Sequence, residues 1–156
     1  MKHSILAFAF LLSSFCCFAQ DYTIEGNELK FDRQLTFKAE TAILNAEDIK
    51  ILTVVKNFLN EKSFVSLMRI EGHVATGANM QQLSAQRAEA VARWLAKEGI
   101  DCKRLIAVGF GNTKPSSVNN RIVFALAGLK NKLIGGMPAD GGGQLAADIC
   151  KNNTSK

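Results

Sequence analysis

The sequence predicts a two-layer α/β sandwich of βαβαβ(β) order, with two helices lying on one face of a shared sheet. Three observations carry this. Ile49, Leu52, Val55, Phe58 and Leu59 recur at helical spacing, and Leu83, Ala88, Val91 and Leu95 form a second stripe of the same kind. Residues 64–73 read as a strand with two sides, residues 105–108 as a short apolar strand ended by glycines, and residues 122–126 as a last strand after a turn. Strands alternating with amphipathic helices call for helices that return to one sheet, with right-handed crossovers between parallel neighbours.

The elements follow in order. Tyr22, Ile24, Leu29, Phe31, Leu35 and Phe37 alternate only in part, which suits one or two short strands. Asn45 reads as a helix cap, and Asp48 is spaced to reach back to the cap amide. The first helix then runs to about Asn60. In the strand over 64–73, alternation places Phe64, Met68 and Ile70 on one side and Val65, Leu67, Arg69 and Glu71 on the other. Residues 74–79 form a turn, and the second helix stops at Gly99, where glycine can take the left-handed closing conformation. Gly109 and Gly111 end the next strand, and Pro115 with the polar run to Asn120 makes a turn into the last one. Residues 129–156 read as a Gly-rich C-terminal tail, with Gly135-Gly136, Pro138 and Gly141 to Gly143, and one helical turn over 145–150.

Residues 1–19 read as a secretory signal peptide. Lys2 and His3 give a basic start, residues 5–12 are apolar, and Cys17 and Ala19 occupy the −3 and −1 positions of a cut before Gln20. The run falls short of the roughly 20 residues that cross a bilayer, and no later segment is long or apolar enough for a transmembrane span. Cys16 and Cys17 open a lipoprotein alternative, against which stands the bulky Phe15 before Cys16. The mature chain is then one ordinary domain over 20–128 followed by the tail.

Cleavage removes one lysine and no acid from a formal net charge of +5. A mild basic excess favours anionic surfaces such as cell-wall polymer or lipid head groups. With no basic helix face and no aromatic–basic interleaving, nucleic acid is not an expected partner. Cys102 and Cys150 survive cleavage and read either as a disulfide or as two free thiols. His73 is the sole histidine of the mature chain, which excludes multi-histidine metal sites and weakens any Ser-His catalysis. The cysteines lack metal-ligand spacing, and Gly109-Phe110-Gly111 does not open a phosphate-cradling helix. No enzymatic activity, cofactor or metal is expected.

A resemblance sharpens this. Ile70-Glu71-Gly72-His73, then Leu83-Ser84-Ala85-Gln86-Arg87-Ala88 with Val91, resemble the central strand and helix of OmpA-like peptidoglycan-associating C-terminal domains. Gly99-Ile100, Arg104-Leu105, Gly109-Phe110-Gly111, Pro115 and Asn120-Arg121-Ile122-Val123 are similar to that family's later segments. Phe37 to Leu44 resembles its entry. The likeness spans roughly residues 29–126. It implies a periplasmic protein of a Gram-negative envelope, associated with the outer membrane, that binds peptidoglycan non-covalently. Its ligand is the stem-peptide diaminopimelate, which offers an ammonium and carboxylates. The resemblance makes Arg87 the carboxylate-reading residue, since a guanidinium fork fits two oxygens at once, and adds Asn79, Ser84 and Arg121 as ligand-binding candidates. On position alone Arg87 lies at the edge of the buried stripe, four residues from Leu83 and Val91, which suits a surface arginine equally well.

The turn departs from the pattern. Val74-Ala75 stands where the family has Thr-Asp, and no acid occurs between His73 and Arg87. The turn and the loop over 112–120 are short, Met80 replaces the usual asparagine, and Ile122 replaces a second arginine. A hydrogen bond to a charged group is worth about 1.5–3 kcal/mol, or roughly ten- to a hundredfold in affinity, so weakened wall binding is expected. Glu71 and His73 are available from the strand end, but Glu71 is expected on the face opposite Gly72. The alternative is a protein–protein interaction module that kept the fold, lost wall binding and contacts an envelope protein partner.

Overall fold

A computed structural model of the chain describes residues 21–114, 116–118, 120–134 and 141–151. The expected leader with Cys16 and Cys17, Pro115 of the turn, and Gly135-Gly136 with Pro138 of the tail lie outside the described residues. In chain order the elements are β1 (Thr23–Glu25), β2 (Glu28–Lys30), α1 (Ile49–Glu61), β3 (Val65–His73), α2 (Met80–Lys97), β4 (Leu105–Gly109), β5 (Arg121–Leu129), β6 (Lys132–Leu133) and β7 (Gln144–Leu145). They form one sheet in the order β1-β2-β5-β3-β4-β7, with β6 paired to β5. β3 and β4 run parallel and are joined through α2, while β5 lies antiparallel between β2 and β3. This is the α/β sandwich that the periodicity predicts.

Both helices bury their stripes in one core. Leu52, Val55 and Leu59 of α1 and Ala88, Val91 and Leu95 of α2 meet Met68 and Ile70 of β3, Ala107 of β4 and Phe124 of β5. Each large aliphatic side chain buried in this way contributes roughly 1.5–3 kcal/mol. The opposite face of β3 carries Arg69, Glu71 and His73, so the strand presents an apolar row to the helices and an ionic row behind it. α2 closes at Gly99 with φ +99°, the left-handed geometry read from the sequence.

α2 also comes very close to the sheet. A methyl group added at Gly72 would sit 2.8 Å from the Ser84 carbonyl carbon, and one at Gly109 would sit 2.7 Å from the Ala85 Cα. The two glycines are what allow the helix to settle on β3 and β4 at this height.

Three local expectations are corrected. The register of β3 against β5 shifts on either side of Leu67, leaving Ser66 as an extra residue. A bulge resets the alternation, so Val65 joins the core while Phe64 is 47% exposed. Asp48 does not reach back to the Asn45 amide. Its fully buried carboxylate accepts hydrogen bonds from the Thr36 N–H at 2.7 Å and the Thr36 hydroxyl at 2.6 Å, and it pairs with Arg33 at 2.8 Å. A buried charge needs such partners, and these fix the segment that enters α1. Finally, no helical turn forms at Leu145. Gln144 and Leu145 extend the sheet beside β4 instead.

Cys102 and Cys150 form a disulfide, with Cα atoms 5.3 Å apart and a sequence separation of 48. It ties the segment carrying β7 back to the short 3₁₀ turn Cys102–Arg104 before β4. Closing a loop of this length is worth about 4 kcal/mol on the chain-entropy account. Reduction, or the Cys102→Ser/Cys150→Ser pair, is expected to lower the unfolding free energy by about 2–4 kcal/mol, read from urea midpoints with and without reductant. A change below about 0.5 kcal/mol would mean that β7 holds without the crosslink.

Candidate functional site

The site assembles where the entry segment, the end of β3, α2 and the start of β5 converge. The entry segment folds back on itself. Phe37 and Leu44 pair across it, the Lys38 N–H donates to the Ile43 carbonyl, and the Thr41 N–H donates to the Lys38 carbonyl. At its tip Glu40 adopts φ +54°. This hairpin lies against Arg87, two turns into α2.

Arg87 is only 8% exposed, and its position is determined by the entry segment. Its Nε donates to the Thr41 carbonyl at 2.9 Å, and its guanidinium carbon lies 5.0 Å from the centre of the Phe37 ring. Burial lowers its pKa and the nearby Glu40 carboxylate opposes that shift; an arginine stays charged either way. Its Nη groups make no hydrogen bond among the described residues. Arg87 borders a cavity of about 360 Å³ that Phe37, Glu40, His73, Asn120 and Arg121 also line. A positioned fork with unspent donors beside open volume is suited to a carboxylate.

Arg121 reaches the same cavity from the start of β5. It donates to the Lys114 carbonyl at 3.0 Å and to the Val118 carbonyl at 3.1 Å, so it also holds the loop before β5. Burial lowers its pKa, against the pull of Glu28 and Glu71.

His73 and Arg121 also line a second cavity, of about 390 Å³, behind the sheet. Its floor is the ionic row of β3. Glu71 is 5% exposed and receives a hydrogen bond from the Arg69 Nε at 2.6 Å; Lys114 Nζ and His73 Nε2 each lie 3.5 Å from its other oxygen. Lys114 also sits 3.7 Å over the Phe110 ring, on which His73 stacks. Burial pushes the Glu71 pKa up, but His73, Arg69 and Lys114 outweigh it and hold the carboxyl at about 2. Glu71 is thus a fixed anion at neutral pH.

Of the residues singled out from sequence, the structure brings Arg87 and Arg121 together and leaves the others apart. Ser84 is fully buried; its hydroxyl donates to the Gln81 carbonyl and accepts from the Gly111 N–H, both at 2.8 Å. It therefore fixes α2 to the loop after β4. Asn79 is exposed at the start of α2 with φ +58°, makes no capping bond and does not line the cavity. In the turn, Val74 is buried and its N–H donates to the Gly111 carbonyl, while the Ala75 N–H donates to Asn120 at 3.4 Å. Sequence reasoning missed Glu40 and Asn120. The signal available for Glu40 was an acid inside the Phe37-to-Leu44 entry, in a chain whose turn has none.

The OmpA family model matches residues 36–124, more than half of the chain. The chain belongs to the OmpA family. Its OmpA fold is similar to three solved structures. An outer membrane protein from Borrelia burgdorferi B31 is 22% identical with TM-score 0.55, over 67% of this chain and 94% of that one. The OmpA-like domain of FopA1 from Francisella tularensis subsp. tularensis SCHU S4 is 27% identical with TM-score 0.52, over 69% and 80%. A putative MotB-like protein from Desulfovibrio vulgaris is 20% identical with TM-score 0.56, over 66% and 75%. No curated protein matches by sequence. OmpA domains are generally non-enzymatic and typically associate with peptidoglycan in envelope proteins. Among the described residues, no helix of this OmpA domain is long and apolar enough to cross a membrane, and no group of three or more His, Cys, Asp or Glu side chains is placed to hold a metal.

Proposed function

We propose that this chain is an exported envelope protein whose OmpA domain associates non-covalently with peptidoglycan, with Arg87 gripping a carboxylate of the stem-peptide diaminopimelate. The observation that carries the reading is the Arg87 guanidinium, fixed by Thr41 and Phe37 with its Nη donors unspent beside the 360 Å³ cavity. Arg121 adds a second cation to the lining of the same cavity. The leader read over residues 1–19 and the Cys102–Cys150 disulfide support export to an oxidising compartment, the periplasm. No carboxylate is present on the turn itself, where Val74 is folded inward and Ala75 carries no charge. The affinity of the Arg87 grip by itself is therefore modest, and display of several copies along the polymer would raise it through avidity.

Co-sedimentation of the mature protein with purified diaminopimelate-type peptidoglycan tests this. Arg87→Ala is expected to bind at least tenfold more weakly, from the loss of a charge-assisted pair. Arg87→Lys, which keeps the charge without the fork, should fall between the two. Circular dichroism of each variant checks that the fold is kept. Equal pelleting of wild type and Arg87→Ala, or no pelleting of either, sinks the wall-binding reading and leaves the interaction-module alternative.

A further inference from the structure

The turn after β3 lacks an acid of its own, yet a carboxylate lies against it. Glu40 lines the Arg87 cavity, and its Oε2 would be 3.5 Å from a methyl group placed on Gly77, in the middle of that turn. The carboxylate thus arrives from the entry segment and not from the turn itself. Among the described residues it makes no hydrogen bond and no ion pair within 4 Å, and the residue is exposed.

Its backbone is also strained. Glu40 holds φ +54°, a region that glycine enters freely and that a side chain with a Cβ enters at a cost. Strain of this kind persists where surrounding structure imposes it, and it concentrates at ligand sites. Here the constraint is identifiable. The Thr41 N–H to Lys38 carbonyl bond tightens the tip, and the Thr41 carbonyl is held by Arg87. One residue of chain therefore separates the acid from the peptide that Arg87 grips.

We infer that Glu40 is the ammonium-reading half of this site, replacing the absent turn acid, so that Glu40 and Arg87 together select a ligand bearing an ammonium and a carboxylate on one carbon. The inference rests on the wall-binding reading. A zwitterionic amino-acid centre is the chemical class that fits an unpaired carboxylate and a guanidinium with unspent Nη donors lining one open cavity. The same pairing explains why a residue other than glycine occupies a left-handed tip: the side chain is needed there, and the backbone carries the cost.

The test uses a soluble muropeptide with the free side-chain ammonium of diaminopimelate, and the same muropeptide with that amine acetylated. Binding of both to wild type, Arg87→Ala, Glu40→Gln and Glu40→Gly is measured by calorimetry, with a melting curve for each protein. Wild type should prefer the free amine by roughly tenfold or more. Glu40→Gln and Glu40→Gly should lose that preference while still binding the acetylated form as wild type does. Glu40→Gly should also melt at or above the wild-type temperature, since glycine relieves the backbone. A purely structural Glu40 would give the reverse, a lower melting temperature with the preference intact, and that result overturns the inference. So does a wild type that does not distinguish the two muropeptides. Wild type and Arg87→Ala binding both muropeptides equally is a different outcome. It removes the wall-binding reading and the inference with it.

Discussion

Gly72→Ala is expected to destabilise the domain by roughly 3 kcal/mol or more, enough to leave much of the chain unfolded if total stability is at the lower end of the usual 5–15 kcal/mol. The cause is backbone against backbone. The added methyl would lie 2.8 Å from the Ser84 carbonyl carbon and closer still to its oxygen. A flexible side chain could rotate away; a helical carbonyl cannot. α2 would have to lift off β3, and it is held down in three other places. Gly109 packs under Ala85, the Ser84 hydroxyl accepts from the Gly111 N–H, and the Gln81 amide donates to the Gly109 carbonyl at 2.6 Å. Lifting the helix breaks these together, so the cost exceeds that of one extra methyl in a yielding core. The same shift would draw Arg87 away from Thr41, and any protein that still folds should have lost the cavity geometry. Urea unfolding measures the first effect and peptidoglycan pelleting the second. Stability within 1 kcal/mol of wild type would show that α2 sits higher on the sheet than described.

The residues that were legible in the sequence are those whose environment is set by near neighbours. Leu52, Val55 and Leu59, and again Ala88, Val91 and Leu95, share a core because helical spacing alone aligns them. Gly99 closes α2 for an equally local reason. The misreadings are non-local. Asn45 and Asp48 have the spacing of a capping box, but the carboxylate is used on Thr36 and Arg33, which no periodicity connects to it. The bulge at Ser66 depends on the register with β5 and is invisible in the run of β3 itself. β7 is two residues long, and its pairing with β4 accompanies a disulfide whose partner is 48 residues away. The site divides along the same line. The motif around Arg87 is contiguous on α2 and so is legible in the sequence. The placement of Glu40 beside the same cavity and Gly77 is not legible there, because it exists only once the entry segment has folded back.

Glu71→Gln is expected to lower stability at pH 7 by about 3 kcal/mol, and the loss should shrink to about 1 kcal/mol at pH 3. The sign follows from the depressed pKa. Folding moves the Glu71 carboxyl from an ordinary 4.5 to about 2, so the folded state binds the proton less tightly than the unfolded state. The contribution is full above the unfolded value, declines as pH falls from 4.5 to 2, and is absent below both. Comparing wild type with Glu71→Gln at each pH removes the other carboxylates, which titrate in both proteins. Solvent screening does little here, because Glu71 is 5% exposed. The amide keeps the shape but cannot offset the charge of Arg69 at 2.6 Å or Lys114 at 3.5 Å. The effect should also reach the Arg87 cavity. Lys114 is released from Glu71, its carbonyl is one of the two acceptors of Arg121, and Arg121 lines that cavity's wall. Weaker peptidoglycan association at pH 7, with Arg87 and Glu40 unaltered, is therefore expected. If the urea midpoints of the two proteins differ by the same amount at both pH values, Glu71 is not held near pKa 2 and the ionic row of β3 is not what orders the loop beneath the site.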